Sequence, residues 1–144
     1  MPPAESPRSA ASPSLTGTRA ALEVLDRHGA AAAVVSLFDS GAAGGDGDLM
    51  RVLARESNHF YAELLTRHPR RFGAFAVLPL PDVDAALAEL AHALDVLGLD
   101  GVMLLSNYAG RYLGDPLLRP GLLSFVCPGQ RLVAVEGRHS RQLG

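Results

Sequence analysis

The sequence predicts an α/β fold built on a parallel sheet, and three observations support that prediction. Helical and strand-like segments alternate along the chain, which is the order of right-handed βαβ units. The strand-like runs are apolar without alternation, as in strands covered on both faces. Apolar residues make up 48% of the 144 residues and charged residues 19%, the balance of a globular domain. Two architectures fit this pattern: a doubly wound open sheet, and a sector of a (β/α)8 barrel, which takes about 250 residues in full.

The first elements follow a segment of different composition. Residues 1–17 are rich in proline and serine and predict a disordered tail. A helix is expected from Thr18, which can cap it, with Gly29 just after its end. Residues 31–37 (AAAVVSL) form the first predicted strand. The glycine-rich segment 38–48 lacks both the P-loop and the GxGxxG patterns, so it predicts a connecting loop.

A second helix and strand are expected next. The helix is predicted over 48–68, and Pro69 ends it because the residue before a proline leaves the helical region. The strand is predicted over 71–80. The apolar stripe that should bury this helix consists of Leu49, Val52, Leu53, Phe60 and Leu64.

The third helix has the clearest signals in the chain. Asp82 is the expected cap, Asp84 adds negative charge to the first turn, and Gly98 stops the helix. Its predicted stripe consists of Val83, Leu87, Leu90, Leu94 and Leu97. The third strand is predicted over 100–106.

Several function classes are disfavoured by composition. No run reaches about 18 apolar residues, so no membrane span is predicted. The net charge of −2 gives no reason to expect a nucleic-acid partner. Cys127 is the single cysteine, which excludes an intrachain disulfide and fits a reducing compartment. Because the N-terminal segment also lacks an apolar signal region, a cytoplasmic location is expected.

The candidate site lies where parallel strands end, since both architectures place ligands at their carboxyl ends. The segment LLSNYAGRYLGDP (104–116) sets polar-tipped residues directly after a buried strand. It could be a substrate rim, or a turn and a loop folded on its own aromatic rings. The substrate-rim candidates are Ser106, Asn107, Tyr108 and Arg111. No residue is predicted to be catalytic.

The histidines form no HxH or HExxH motif. His28 and His68 are expected at helix C-termini, where a partial positive charge is favourable. His59 and His92 lie inside predicted helices, remote from the strand ends. They are expected at the surface or at the rim of the core.

The stretches HPRRFGAFAVLPLPD, DGVMLLSN and GRYLGDP resemble the amidohydrolase-related family that includes aminocarboxymuconate-semialdehyde decarboxylase and related aromatic-acid decarboxylases. The resemblance covers residues 18–120. It implies a partial (β/α)8 TIM barrel, in which the three strands and their helices correspond to strands 2 to 4. Residues 121–144, where the likeness fades, are expected to be a divergent C-terminal tail.

The resemblance also implies a chemistry. Members of the family hold a divalent metal, zinc or manganese, for hydrolysis or for non-oxidative decarboxylation. The implied function is therefore that of a carboxy-lyase or hydrolase acting on a small carboxylated, aromatic-derived substrate. The family's first-strand HxH motif has no counterpart, because the chain begins after that point. Glu136 stands near the position of the fifth-strand histidine, and His139 follows three residues later.

The metal ligands are therefore expected to be missing from this chain, which is expected to be inactive alone. A truncated or frame-shifted reading frame would account for this pattern. One alternative is a non-catalytic remnant or interaction module that forms homo-oligomers or aggregates through open sheet edges. Another is an independent α/β domain that binds a small ligand at 106–108.

Overall fold

The computed structural model describes residues 13–37, 47–105, 107–108, 110–112, 114–119 and 132–136. Its core is a four-stranded parallel sheet, with helices between the first and second and between the second and third of these strands. The helices are α1 (Pro13–Arg27), α2 (Gly47–Arg67) and α3 (Val83–Ala91), the last continued by a π-helical turn (His92–Val96). The strands are β1 (Ala33–Val35), β2 (Phe72–Ala76), β3 (Gly101–Leu105), β4 (Asn107–Tyr108), β5 (Arg111–Tyr112) and β6 (Leu132–Glu136).

The strand order decides between the two predicted architectures. The parallel strands lie in the order β1-β2-β3-β6, so each new strand is added on the same side of the last. A doubly wound sheet reverses direction at a switch point, whereas a barrel keeps adding strands in one sense. The prediction of a partial (β/α)8 barrel is confirmed, with one more parallel strand than the three predicted. Among the described residues, no helix has the length and hydrophobicity to span a membrane.

Helix α1 begins earlier than the sequence predicts. It starts at Pro13, so the predicted start at Thr18 is wrong. Proline suits the first turn of a helix because the missing N–H needs no partner there. The C-terminus is as expected: Gly29 has a φ of +66°, and the backbone N–H of Ala30 donates to the carbonyl of Leu25 at 2.9 Å.

Strand β1 is less buried than its composition suggests. It was expected to be covered on both faces, but the side chain of Val34 is 57% exposed. The strand pairs only with β2 among the described elements, with Ala33 opposite Phe72. The expectation is wrong because β1 is an edge strand among the described elements. An apolar run does not show whether a strand has a neighbouring strand on each side.

Helix α2 buries only part of its predicted stripe. Leu64 is buried and Phe60 packs against the core, as predicted, whereas Leu49, Val52 and Leu53 are exposed. The buried residues are Met50, Ala54, Asn58, Tyr61 and Leu64. This stripe contains small and polar residues, which a ranking by hydrophobicity places outside.

Helix α3 and strands β2 and β3 form the interior of the described fold. Asp82 caps α3 as predicted, accepting a hydrogen bond from the Ala85 backbone N–H at 3.0 Å. The predicted stripe of α3 packs against the core, and Gly98 ends the helical segment with a φ of +72°. On β3, Val102 and Leu104 are almost fully buried.

The fourth parallel strand lies within the predicted C-terminal tail. β6 pairs with β3 along its whole length, from Gly101 opposite Leu132 to Leu105 opposite Glu136. Residues 121–131 and 137–144 lie outside the described residues. The division of the chain into a tail, a barrel sector and a second tail stays a prediction.

Candidate functional site at the carboxyl ends of the strands

The carboxyl ends of β1, β2, β3 and β6 lie at one edge of the sheet because the strands are parallel. Glu136 ends β6 opposite Leu105, the last residue of β3. The sequence prediction placed Glu136 at such a strand end, and the register agrees. His139 and Ser106 lie outside the described residues.

The predicted rim after β3 is a short antiparallel hairpin. Asn107 pairs with Tyr112, and Tyr108 pairs with Arg111. Gly110 turns the chain with a φ of +78°, in the left-handed region where glycine is favoured. The hairpin brings three of the four predicted rim residues together within six positions of the chain.

The rim residues differ in their surroundings. Tyr108 is buried and belongs to the hydrophobic core, so its ring anchors the hairpin. The Arg111 side chain is exposed, and its guanidinium lies 3.5 Å from a carboxylate oxygen of Asp115. That distance is at the limit of a hydrogen bond, so the cation is only loosely paired.

The segment after the hairpin is closed by the aspartate of the predicted Gly114-Asp115-Pro116 turn. The Asp115 carboxylate accepts from the Leu117 backbone N–H at 2.9 Å, and its carbonyl accepts from Leu118 at 2.9 Å. Leu118 is buried in the core. The loop is therefore fixed at both ends by buried residues, Tyr108 and Leu118.

The end of β2 is held by a buried side chain that the sequence did not single out. Asn58 of α2 is fully buried. Its amide donates to the Val77 carbonyl at 2.9 Å, and its oxygen accepts from the Val77 N–H at 2.8 Å. The side chain thus satisfies both backbone groups of the first residue beyond β2.

A buried carboxylate completes this network. Glu89 of α3 accepts from the Asn58 amide at 2.9 Å and from the Arg55 guanidinium at 2.8 Å. The Glu89 side chain is 6% exposed and that of Arg55 46% exposed. A buried carboxylate is tolerated when charge and hydrogen bonds compensate its desolvation, as here.

A second link joins Asp82, at the far end of the loop 77–82 that follows β2, to α2. The Arg51 guanidinium donates to a carboxylate oxygen of Asp82 at 2.7 Å and also pairs with Asp48. The hydrogen bond that Arg51 donates to Asp48 raises the pKa of Arg51, with further contributions from the negative charges of Asp48 and Asp82. Loop 77–82 is therefore anchored at its start and at its end, which fixes the β2 side of the site.

Sequence reasoning missed Asn58 and Glu89 because polar residues are usually exposed. One signal was available for Asn58. It lies four residues after Ala54 and three before Tyr61, on a single helical stripe. Glu89 lies 31 positions further along the chain, and no such signal links it to Asn58.

The chain is similar in sequence to a known protein family. The family model described as amidohydrolase matches residues 26–139. The match continues past Gly121, where the sequence likeness was expected to fade, and includes β6.

Two curated relatives are decarboxylases by name. Decarboxylase YanB of Aspergillus niger is 37% identical over 105 residues, which are 69% of this chain and 28% of that protein. Gamma-resorcylate decarboxylase of Rhizobium radiobacter is 38% identical over 85 residues, 58% of this chain and 26% of that protein. The chain thus spans between a quarter and a third of the length of these relatives.

Solved structures agree on the fold. A crystal structure described as amidohydrolase II superposes with a TM-score of 0.80 at 23% identity, covering 96% of this chain and 43% of that one. The 2,6-dihydroxybenzoate decarboxylase from Rhizobium gives a TM-score of 0.64 at 33% identity, with coverage of 75% and 35%. The 5-carboxyvanillate decarboxylase of Novosphingobium aromaticivorans, crystallised with manganese, gives 0.69 at 25% identity, with coverage of 74% and 31%.

A divalent metal belongs to this family, as the manganese in that crystal structure illustrates. In the part of the chain that the structure describes, no three His, Cys, Asp or Glu side chains lie close enough to share an ion. The described residues therefore do not fit such a metal centre, and no catalytic step is assigned to a metal here.

Proposed function

The chain belongs to the amidohydrolase family, and from that membership we propose that it supplies one sector of a carboxy-lyase barrel. The reaction is the non-oxidative decarboxylation of a small aromatic carboxylate. The observation that carries this proposal is the 37% identity to decarboxylase YanB over 69% of the chain. The second relative, with a similar identity, is named for the decarboxylation of a dihydroxybenzoate.

The proposed reaction is redox-neutral. The bond between the ring carbon and the carboxylate carbon breaks, carbon dioxide leaves, and the electron pair stays on the ring carbon. A proton from water replaces the lost group. No oxidant, reductant or second substrate is needed.

The contribution of this chain to such a site is positional. Its loop 77–82 is held by Asn58 and Arg51, so the β2 side of the strand ends is rigid before substrate arrives. Preorganisation of this kind lowers the cost of holding a substrate in its reactive geometry. The strand ends of β1 and β3 then define the neighbouring parts of the rim.

The proposal keeps Ser106, Asn107, Tyr108 and Arg111 as substrate-rim residues. Arg111 has the clearest role among them. An exposed guanidinium with a 3.5 Å partner can change that partner for the carboxylate of a substrate. The hairpin holds its backbone beside the buried ring of Tyr108.

The proposal includes inactivity of the chain alone and a cytoplasmic location. The first rests on the lack of a three-ligand group among the described residues. The second fits the single cysteine, Cys127.

The test is an assay with 2,6-dihydroxybenzoate in the presence of Mn²⁺ or Zn²⁺, followed by chromatography of the decarboxylated phenol. The chain should give no product alone. It should give product when combined with the part of the Rhizobium radiobacter decarboxylase that it does not match. Arg111→Gln in the combined system should raise KM more than it lowers kcat.

Three outcomes would contradict these statements separately. Turnover by the chain alone would contradict its inactivity. A folded combination that hydrolyses esters or amides but releases no carbon dioxide would contradict the carboxy-lyase assignment. An Arg111→Gln variant with an unchanged KM would remove Arg111 from the rim.

A second candidate function is that of a non-catalytic interaction module, and the exposed face of β1 favours it. Val34 and Leu37 are both exposed, and among the described strands β1 pairs only with β2, which leaves its other edge open. Such an edge pairs readily with another strand, including one from a second copy of the chain. Analytical ultracentrifugation distinguishes the interaction module from the enzyme sector. A module of this kind should form discrete oligomers in the concentration range where the combined enzyme would be assayed.

A further inference from the structure

Two histidines on neighbouring helices face each other on the outer layer of the molecule. His59 of α2 and His92, the first residue of the π-helical turn after α3, bring their Nε2 atoms to 3.1 Å. The ring centroids are 5.2 Å apart, and the ring planes differ by 31°. His59 is exposed and His92 half-buried, so solvent and small ions reach the pair.

The separation of the two nitrogen atoms matches a pair of adjacent metal ligands. Zinc binds imidazole nitrogen at about 2.0–2.1 Å, which puts two nitrogen ligands of a tetrahedral ion about 3.4 Å apart. The same bond lengths at a right angle, as in square-planar Cu²⁺ or Ni²⁺ sites, give about 2.9 Å. The observed 3.1 Å lies between these values.

The backbone on both sides of the pair is already fixed. Asn58, next to His59, is fully buried and bonded to Val77 and to Glu89. Ala93, next to His92, is fully buried as well. The backbone at both histidines is therefore fixed by the core, which lowers the ordering cost of chelation.

The local helix geometry points the same way. The helix widens into a π turn at His92, whose carbonyl accepts from the Leu97 N–H at 3.0 Å, five residues on. Single π turns within α-helices occur frequently at functional sites. The turn is an independent feature of the backbone at the position of the second histidine.

We propose that His59 and His92 form a two-histidine site for a borderline divalent transition-metal ion of the Zn²⁺, Ni²⁺ or Cu²⁺ class. Both rings bind through Nε2 as neutral imidazoles. The ring that donates in the metal-free pair carries its proton on Nδ1 in the bound form, so no net proton is released. Water fills the remaining coordination positions, because no third His, Cys, Asp or Glu among the described residues joins the pair.

The two ligands stand on α2 and on the π-helical turn after α3. The exchangeable water positions make the pair a site for reversible binding. It does not depend on the proposed decarboxylase activity, since the ligands belong to the chain alone.

The test is a calorimetric titration of the chain, prepared without a polyhistidine tag, with Cu²⁺, Ni²⁺, Zn²⁺ and Mg²⁺. One ion should bind per chain, with Cu²⁺ tightest and Mg²⁺ not bound. His59→Gln and His92→Gln should each weaken binding by about 10²-fold, because one imidazole alone lacks the effective concentration of the pair. The double variant should be no weaker than either single one.

The remaining histidines provide matched controls. His28→Gln, His68→Gln and His139→Gln should bind as tightly as the native chain. Circular dichroism checks that each variant keeps the native helix content. We expect the content to be kept because His59 and His92 are both accessible to solvent. Unchanged binding in His59→Gln and His92→Gln, or a loss in one of the controls instead, would overturn the site and leave the pair as a hydrogen bond between rings.

Discussion

The centre and the edge of the sheet have the same sequence pattern and opposite surroundings. β1 and β3 are both apolar runs without alternation. In β3, Val102 is 2% exposed, whereas Val34 in β1 is 57% exposed. The difference shows that an apolar run indicates a strand suited to burial. The elements that pack around the strand determine how far it is buried.

The two regions also differ in the polar links that hold them. At the centre, Asn58 and Glu89 join α2, β2 and α3 in a buried network. At the edge, Arg71 joins α1 to the segment before β1 by donating to Asp26 at 2.7 Å and to the Ala31 carbonyl at 3.0 Å. Solvent reaches this edge link, because the side chain of Asp26 is 66% exposed and that of Arg71 31% exposed, so water screens its charges.

The largest effect should come from breaking the central link. In Asn58→Ala, the N–H and carbonyl of Val77 and the Glu89 carboxylate each lose a buried partner, which should lower the free energy of unfolding by about 4 kcal/mol. The matched change at the edge, Arg71→Ala, should cost about 1 kcal/mol, because the ion pair is exposed. Urea unfolding followed by circular dichroism measures both. Equal losses would mean that the edge link is as well shielded from water as the central one.

The next test replaces a valine by threonine in the central strand β3 and in the edge strand β1. Val102→Thr puts a hydroxyl group into the core without a partner and should cost about 2 kcal/mol. Val34→Thr keeps a β-branched side chain on an exposed strand and should cost under about 0.5 kcal/mol. A loss of 2 kcal/mol at Val34 as well would show that β1 is covered in solution by another copy of the chain.

Much of this fold follows from the sequence by local physics. Asp82 and Gly98 bound the helical segment formed by α3 and the π-helical turn, because a side-chain oxygen caps the first turn and glycine adopts a positive φ after the last. Parallel pairing follows from the alternation of helices and strands. The proline-rich composition predicts disorder and therefore does not reveal the start of α1 at Pro13, although proline suits a first turn.

The face of α2 and the polar contacts of the site could not be predicted in the same way. Ala54 and Asn58 are buried because α2 packs against β2, a fact of tertiary structure that no helical period contains. The pairing of His59 with His92 spans 33 positions. In the rim, Tyr108 was predicted to be near the site, but its burial in the core depends on how the hairpin folds back.

A positive charge on the edge strand β1 should act on self-association of the chain alone. Under the second candidate function, Val34→Lys places a cation on β1, which pairs only with β2 among the described strands, and should weaken self-association by about tenfold, as lysine does on natural edge strands. Val96→Lys is the control, because Val96 is also exposed but lies on the π-helical turn, away from the edge. Sedimentation velocity over a range of concentrations gives the association constants. Equal weakening by both changes would indicate that general hydrophobicity, and not the strand edge, drives association.

The smallest effect concerns the titration of a tyrosine at the centre. Burial raises the pKa of Tyr61 above its usual value of about 10. The unfolded chain therefore loses this proton at a lower pH than the folded chain, and stability should fall as the pH rises through 10, by under about 1 kcal/mol between pH 10 and 11. Tyr61→Phe should remove this fall, whereas Tyr112→Phe, changed at an exposed ring of the hairpin, should keep it. Urea unfolding at pH 9, 10 and 11 gives the slopes, and an unchanged slope in Tyr61→Phe would place the titrating group elsewhere in the chain.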